Sequence, residues 1–286
     1  EYDDDEGTWF WSKEDVLNRL LRNNFFTEQS IPLINQFDSE NPKLSLDEEN
    51  VVYIRFKDKL VKITADEIVE CDYSVLGEES IWESTLITKP FDGVDENCDG
   101  GLFEKYMRQT CYDLNDNNSD NWKENFTFNQ NRWESLKTTY GYMVSQFKNP
   151  ELTKCVIFLD KETSEGSSNG RTGKSVIMNS IAHWKSFEKI DGDIPNNLNG
   201  DHRLDKIKLD TKFCHIQDLY DGFDFRKLYN PIADNLDINP KNNPSFNIPF
   251  EQSPKFGITT NFISGDTDIS TRGRQHFVEF GGYWRV

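Results

Sequence analysis

Residues 154–180 read KCVIFLDKETSEGSSNGRTGKSVIMNS, and three segments of that stretch decide the fold. Lys154 to Leu159 is a short apolar run rich in β-branched and aromatic residues, the pattern of a strand buried on both faces of a parallel sheet. Gly166 to Lys174 is a glycine-rich loop, and from Ser175 the apolar residues Val176, Ile177, Ile181 and Ala182 recur at helical spacing. A strand that turns through such a loop into a helix is built to hold phosphate, because loop N–H groups converge and the helix start adds the positive end of its dipole. Ser168, Asn169, Gly170, Arg171, Thr172, Gly173, Lys174 and Ser175 fit the pattern G-x-x-x-x-G-K-[ST] except at its first position, where Ser168 stands for glycine. Gly166 and Gly170 supply the flexibility there. In this pattern Lys174 reaches the β- and γ-phosphates of ATP, and Ser175 places its hydroxyl on Mg²⁺.

The chain has 286 residues, room for one large core or two modest ones, and no apolar run approaches the roughly 20 residues of a membrane span. It begins on Glu1 rather than Met, which suggests a fragment or a processed product. The five cysteines form no C-x-x-C pair, and Cys155 and Cys214 fall in apolar segments, so we read reduced thiols of a cytoplasmic protein, host cytoplasm if the source is a phage, and no zinc site. The net charge of −18 is uneven. Residues 1–150 carry 31 acids against 15 bases, whereas residues 151–286 carry 19 against 17. The nearly neutral second half can still offer a local basic strip to a phosphate backbone.

The division expected is a small N-terminal α/β domain with an acidic lead over residues 1–95, a helical connection over 96–150 and an ATPase domain over 151–286. In the first, Ser12 and Asp15 cap an amphipathic helix carrying Val16, Leu17, Leu20 and Leu21. Val51 to Thr64 alternates around Lys57, Asp58 and Lys59 as a hairpin, and Ile68 to Leu76 with Ile81 and Trp82 completes the unit. In the connection, a short helix is expected around Phe103 to Thr110, and Trp133, Leu136, Tyr140, Met143 and Phe147 mark a longer one.

Beyond the phosphate loop, Lys212 to Ile216 is a second apolar strand ending in Gln217 and Asp218. Acid at the tip of the strand beside a phosphate loop holds Mg²⁺ through water, which makes Asp218 the candidate. Phe223 to Asn235 reads as a helix capped by Asp221 or Gly222. Leu236 to Ile248 reads as a hairpin with Lys241 at its turn, and Lys255 to Thr260 as a third buried strand closed by Asn261. Asn261 can orient a water against the γ-phosphate. Arg272 and Arg274 precede the apolar run Phe277 to Phe280.

Taken in order, SNGRTGKS, HIQDLYDGFDF, IPFEQSPKFGITTNF and STRGRQHFVEF resemble the superfamily 3 helicase domain of phage and plasmid primase-helicase proteins, which are AAA+-like hexameric ATPases. The resemblance is close from Trp133 to the end and looser over Val51 to Trp82. It implies an α/β P-loop core with a parallel central sheet, ATP and Mg²⁺ as cofactors, single-stranded DNA as partner and a ring of identical subunits. By position it implies that Lys174 and Ser175 serve Walker A, Asp218 Walker B, Asn261 sensor 1 and Lys241 a DNA-gripping hairpin. Arg272 or Arg274 would be the finger acting on the neighbouring subunit's nucleotide. A primase domain often precedes this module in the family, and nothing in the chain resembles one.

Gln217 departs from the pattern, since the family usually carries an acidic pair at that strand tip. Glutamine can orient a water but cannot take its proton. If hydrolysis needs another acid, Asp160 and Asp221 are candidates. The reading is an ATP-driven helicase of phage or mobile-element replication. Its rivals are a nucleotide-binding assembly module with weak hydrolysis and a packaging or defence ATPase.

Overall fold

A computed structural model describes residues 43–93, 100–115, 122–160, 170–200, 202–241, 243–262 and 268–285. The helix expected at Val16 to Leu21, together with Ser168 and Asn169, lies outside the described residues.

The hairpin expected near residue 51 forms. β1 (Val52–Arg55) pairs antiparallel with β2 (Leu60–Ile63), Val52 opposite Ile63, and β3 (Ile68–Cys71) adds on the other side of β2. Ile54, Phe56 and Val61 close a small core of their own, against which Val144 also packs. Short 3-10 turns follow at Tyr73–Leu76 and Glu83–Thr85. α1 (Leu102–Gln109) then leads into a hairpin of β4 (Tyr112–Leu114) and β5 (Phe126–Phe128), and α2 (Gln130–Val144) starts where the Asn129 side chain accepts from the Arg132 N–H. Trp133, Leu136 and Met143 face inward from α2 as their spacing predicts. Phe147 does not belong to this helix, because Ser145 turns extended and ends it.

Five parallel strands make the central sheet: β6 (Cys155–Asp160), β7 (Phe187–Asp191), β8 (Phe213–Gln217), β11 (Lys255–Thr259) and β12 (Gln275–Phe280), in the spatial order β12-β6-β11-β8-β7. The α/β class and parallel sheet expected from the sequence are therefore present. β9 (Leu236–Ile238) and β10 (Phe246–Ile248) stand apart as the expected two-stranded hairpin. Alternation along the strands divides the core. Cys155, Ile157, Cys214, Ile216, Phe256 and Ile258 point to one face, while Val156, Phe158, Phe213, Val278 and Phe280 point to the other. α2 and α3 (Lys174–Ser180) cover the second face with Trp133, Leu136, Met143, Ile177 and Met178. Each such side chain contributes about 1.5–3 kcal/mol by leaving water. The approach of α3 is close, because a Cβ on Gly257 would lie 2.5 Å from Met178 Sδ and 2.7 Å from Phe213 Cζ.

Two further helices differ from the sequence reading. Lys174, Ile177 and Met178 of α3 and Ile181 of the following 3-10 turn (Ile181–His183) form the buried i, i+3, i+4, i+7 stripe, and Val176 and Ala182 are exposed because they fall off it. The helix expected over Phe223 to Asn235 is a 3-10 turn at Phe225–Leu228 followed by α4 (Tyr229–Ala233). Asp224 rather than Asp221 or Gly222 caps the turn by accepting from the Arg226 N–H, and Pro231 is tolerated because it falls in the first turn of the restarted helix.

Candidate nucleotide site

The site lies over the C-terminal ends of β6, β11 and β8. β11 runs between the other two, with Thr259 beside Phe158 and Ile258 beside Ile216, so the residues at or just past the strand ends lie along one edge of the sheet: Asp160, Asn261, and Gln217 with Asp218. The loop that returns to α3 is described from Gly170. Arg171 and Gly173 take left-handed backbone, φ 73° and 96°. Gly173 has a second reason to be glycine, since a Cβ there would lie 2.5 Å from Tyr106 Oη and 3.2 Å from Thr110 Cγ2 on the α1 side. The loop is thus seated against α1, and α3 starts on its last residue.

Lys174 is buried, and its ammonium joins two strand tips. Nζ lies 2.7 Å from Asp160 Oδ1 and donates to Asn261 Oδ1 at 2.8 Å. Asp160 is 2 % exposed and also accepts from the Thr172 hydroxyl. The structure therefore brings together three residues that the sequence singled out separately: the loop lysine, the residue closing the third strand, and the acid ending the first.

Asp218 is placed differently. It is exposed, with φ 52°, and its carboxylate accepts from Gln217 Nε2 at 3.0 Å while its N–H donates to Thr259 Oγ1 at 3.3 Å. Thr259 Oγ1 lies 3.0 Å from His215 Nε2, and His215 Nδ1 lies 2.9 Å from Asn179 Oδ1 on α3. With the Nδ1–H tautomer every donor in this chain finds an acceptor, from Asp218 through Thr259 and His215 to the helix that begins with Lys174. Burial, aided by Lys189, pushes His215 down to about 3, which keeps it neutral. The sequence reading did not pick out His215, Thr259 or Asn179. The available signal was a histidine in the middle of an otherwise apolar strand.

The remaining candidates lie elsewhere. Arg272 and Arg274 are on α5 (Ile269–Arg274): Arg272 is exposed, while Arg274 stacks over the Tyr229 ring at 4.5 Å and donates to Ser270 O. Lys241 is exposed at the turn between β9 and β10. Among the described residues, the Ser175 hydroxyl and the exposed Asp218 carboxylate are oxygen donors that would suit Mg²⁺ whose other positions are filled by phosphate and water. No cluster of three His, Cys, Asp or Glu that could cage a metal occurs among the described residues.

No protein-family model matches the chain, and no curated protein matches it. Among solved structures it is similar to the apo A form of the NrS-1 C-terminal region, with a TM-score of 0.46 and 14 % identity over 83 % of this chain and 60 % of that one. It is also similar to JCV helicase bound to a thiazolopyridine compound, with a TM-score of 0.38 and 11 % identity over 64 % of this chain and 46 % of that one. The chain thus spans about three fifths of the NrS-1 structure it resembles. No helix among the described residues is long and apolar enough to cross a membrane.

Proposed function

We propose that the chain is the nucleotide-hydrolysing part of a DNA helicase of the superfamily 3 kind, working in phage or mobile-element replication as a ring on single-stranded DNA. The observation that carries the reading is the meeting of Lys174, Asp160 and Asn261 over the C-terminal edge of the parallel sheet, in front of a left-handed glycine turn. A lysine buried at that edge supplies a positive charge where ATP would present its phosphates, and low local dielectric strengthens the attraction. Ser175 and, through water, Asp218 would hold Mg²⁺, which when bound neutralises charge on the transferring phosphoryl group. Asn261 would orient the attacking water, and Gln217 could add a hydrogen bond to it. Arg272, exposed on α5, is the better placed of the two arginines to reach a neighbouring subunit, because Arg274 is engaged with Tyr229. Lys241 would meet the phosphate backbone of DNA. A primase domain elsewhere in a longer chain belongs to the same proposal.

Gln217 favours a second reading, a module that binds nucleotide to drive assembly and hydrolyses it slowly. ATP turnover measured with and without single-stranded DNA separates the two. The helicase reading expects stimulation by DNA that Lys241→Ala reduces while DNA-free turnover is retained. Turnover indifferent to DNA would leave the assembly module.

A further inference from the structure

We propose that Asp160 is a positioning residue that sets nucleotide affinity, its carboxylate standing in for a phosphate group on Lys174; this rests on the nucleotide-site reading above. Asp160 closes β6 and is almost wholly buried, and among the described residues it binds Thr172 and Lys174 of the phosphate loop. The Lys174 side chain is itself only 8 % exposed. An ammonium so far from water is held by an opposite charge, and Asp160 Oδ1 at 2.7 Å presents what a phosphate oxygen would present: a charged acceptor at hydrogen-bond distance. Phosphate arriving at Nζ meets a lysine that already has a counter-charge. Binding then exchanges one anion for another, and the measured affinity is the intrinsic affinity reduced by the fraction of molecules in which Asp160 has let the lysine go.

Asp218 cannot share this role. It is exposed at the tip of β8 and is hydrogen-bonded by Gln217. Thr172 adds to the argument, because a hydroxyl donated to the same oxygen that receives Lys174 fixes the carboxylate toward the loop.

The test is calorimetric titration of ADP, without metal, into the parent chain, Asp160→Asn and Lys174→Ala. Asparagine keeps the shape and the acceptor oxygen but removes the charge, so Asp160→Asn should bind ADP at least about tenfold more tightly than the parent. Lys174→Ala should lose binding. A gain in affinity is the opposite of what a merely structural role would give. Unchanged or weaker ADP binding by folded Asp160→Asn overturns the inference while leaving the nucleotide site standing. So does unchanged affinity with turnover lost, which would make Asp160 the acceptor of the water's proton instead. If parent and Lys174→Ala alike bind no ADP, the nucleotide-site reading falls and the inference with it. Should Asp160→Asn fail to fold, Asp160→Ser and the ADP-induced rise in Tm give the same comparison.

Discussion

The two edges of the central sheet carry charge in opposite ways. At the C-terminal edge the buried Lys174 faces the Asp160 carboxylate. At the N-terminal edge Arg55, Lys185, Lys212 and Lys255 are buried, with Lys148 half-buried near Lys255, and the carboxylate of Asp47 is sealed among them, 3.5 Å from Lys185 Nζ and 3.7 Å from Arg55. Asp47 also accepts from the N–H groups of Tyr53 and Gln146, which ties the β1–β3 meander to the strand entries and the end of α2. Several of these bases answer backbone carbonyls. Lys255 donates to Tyr142 O, in the last turn of α2, and Lys212 to Gln252 O. On the proposed reading the pair at the top is one that a phosphate can break, whereas the cluster at the bottom joins β1, the end of α2 and the strand entries.

The sharpest way to break this contrast is to remove Asp47. Asp47→Ala leaves Arg55 and Lys185 buried without their carboxylate, and breaking a buried pair on one side typically costs about 3–5 kcal/mol. Chemical denaturation should show a loss of that order, with the ADP affinity of the remaining folded protein unchanged. A variant as stable as the parent would mean that Arg55 does not depend on Asp47 for its counter-charge.

Acidity tests the same edge with a smaller effect. Burial holds Lys148, Lys185 and Lys255 down to about 7 and Lys212 to about 8, against an ordinary value of 10.5. A base with a depressed folded pKa binds more protons when unfolded throughout the interval between the two values. Stability contributed by these groups is therefore lost as pH falls toward 7 and regained as it rises. Unfolding free energy should climb by at least about 2 kcal/mol from pH 7 to about pH 9. A flat profile over that interval would contradict the burial of these ammonium groups.

The smallest effect sharpens the top edge. Thr259→Val keeps the shape but removes the hydroxyl between His215 and Asp218, at a stability cost of about 1 kcal/mol. Freed from that anchor, Asp218 should hold the metal less well. The Mg²⁺ concentration needed for nucleotide binding should rise while metal-free ADP affinity stays the same, as read by titration. If both fall together, the chain from Asp218 to α3 only supports the fold.

The top edge was legible in the sequence because its chemistry is local. Eight consecutive residues, Ser168 to Ser175, carry the sequence pattern expected of a phosphate loop, and β6, β8 and β11 are short apolar runs whose buried two-sided pattern is plain. Asn261 and Lys174, each expected to face the nucleotide, are hydrogen-bonded to one another in the structure. The bottom edge was not legible, because Asp47, Arg55, Lys148, Lys185, Lys212 and Lys255 are scattered along the chain, and single lysines at strand entries look like solvated charges until topology brings them together. α4 was misjudged for a related reason. Asp224 bonding its local backbone competes with helix propensity and shortens the element.

ATP hydrolysis by the parent chain and by Lys174→Ala decides whether the C-terminal edge of the sheet is a nucleotide site. Turnover that falls by about a hundredfold or more on losing the ammonium is expected, because a charge-assisted contact to the transferring phosphoryl group is worth several kcal/mol in the transition state. A variant that hydrolyses ATP at the parental rate would contradict the assignment of the C-terminal edge as a nucleotide site.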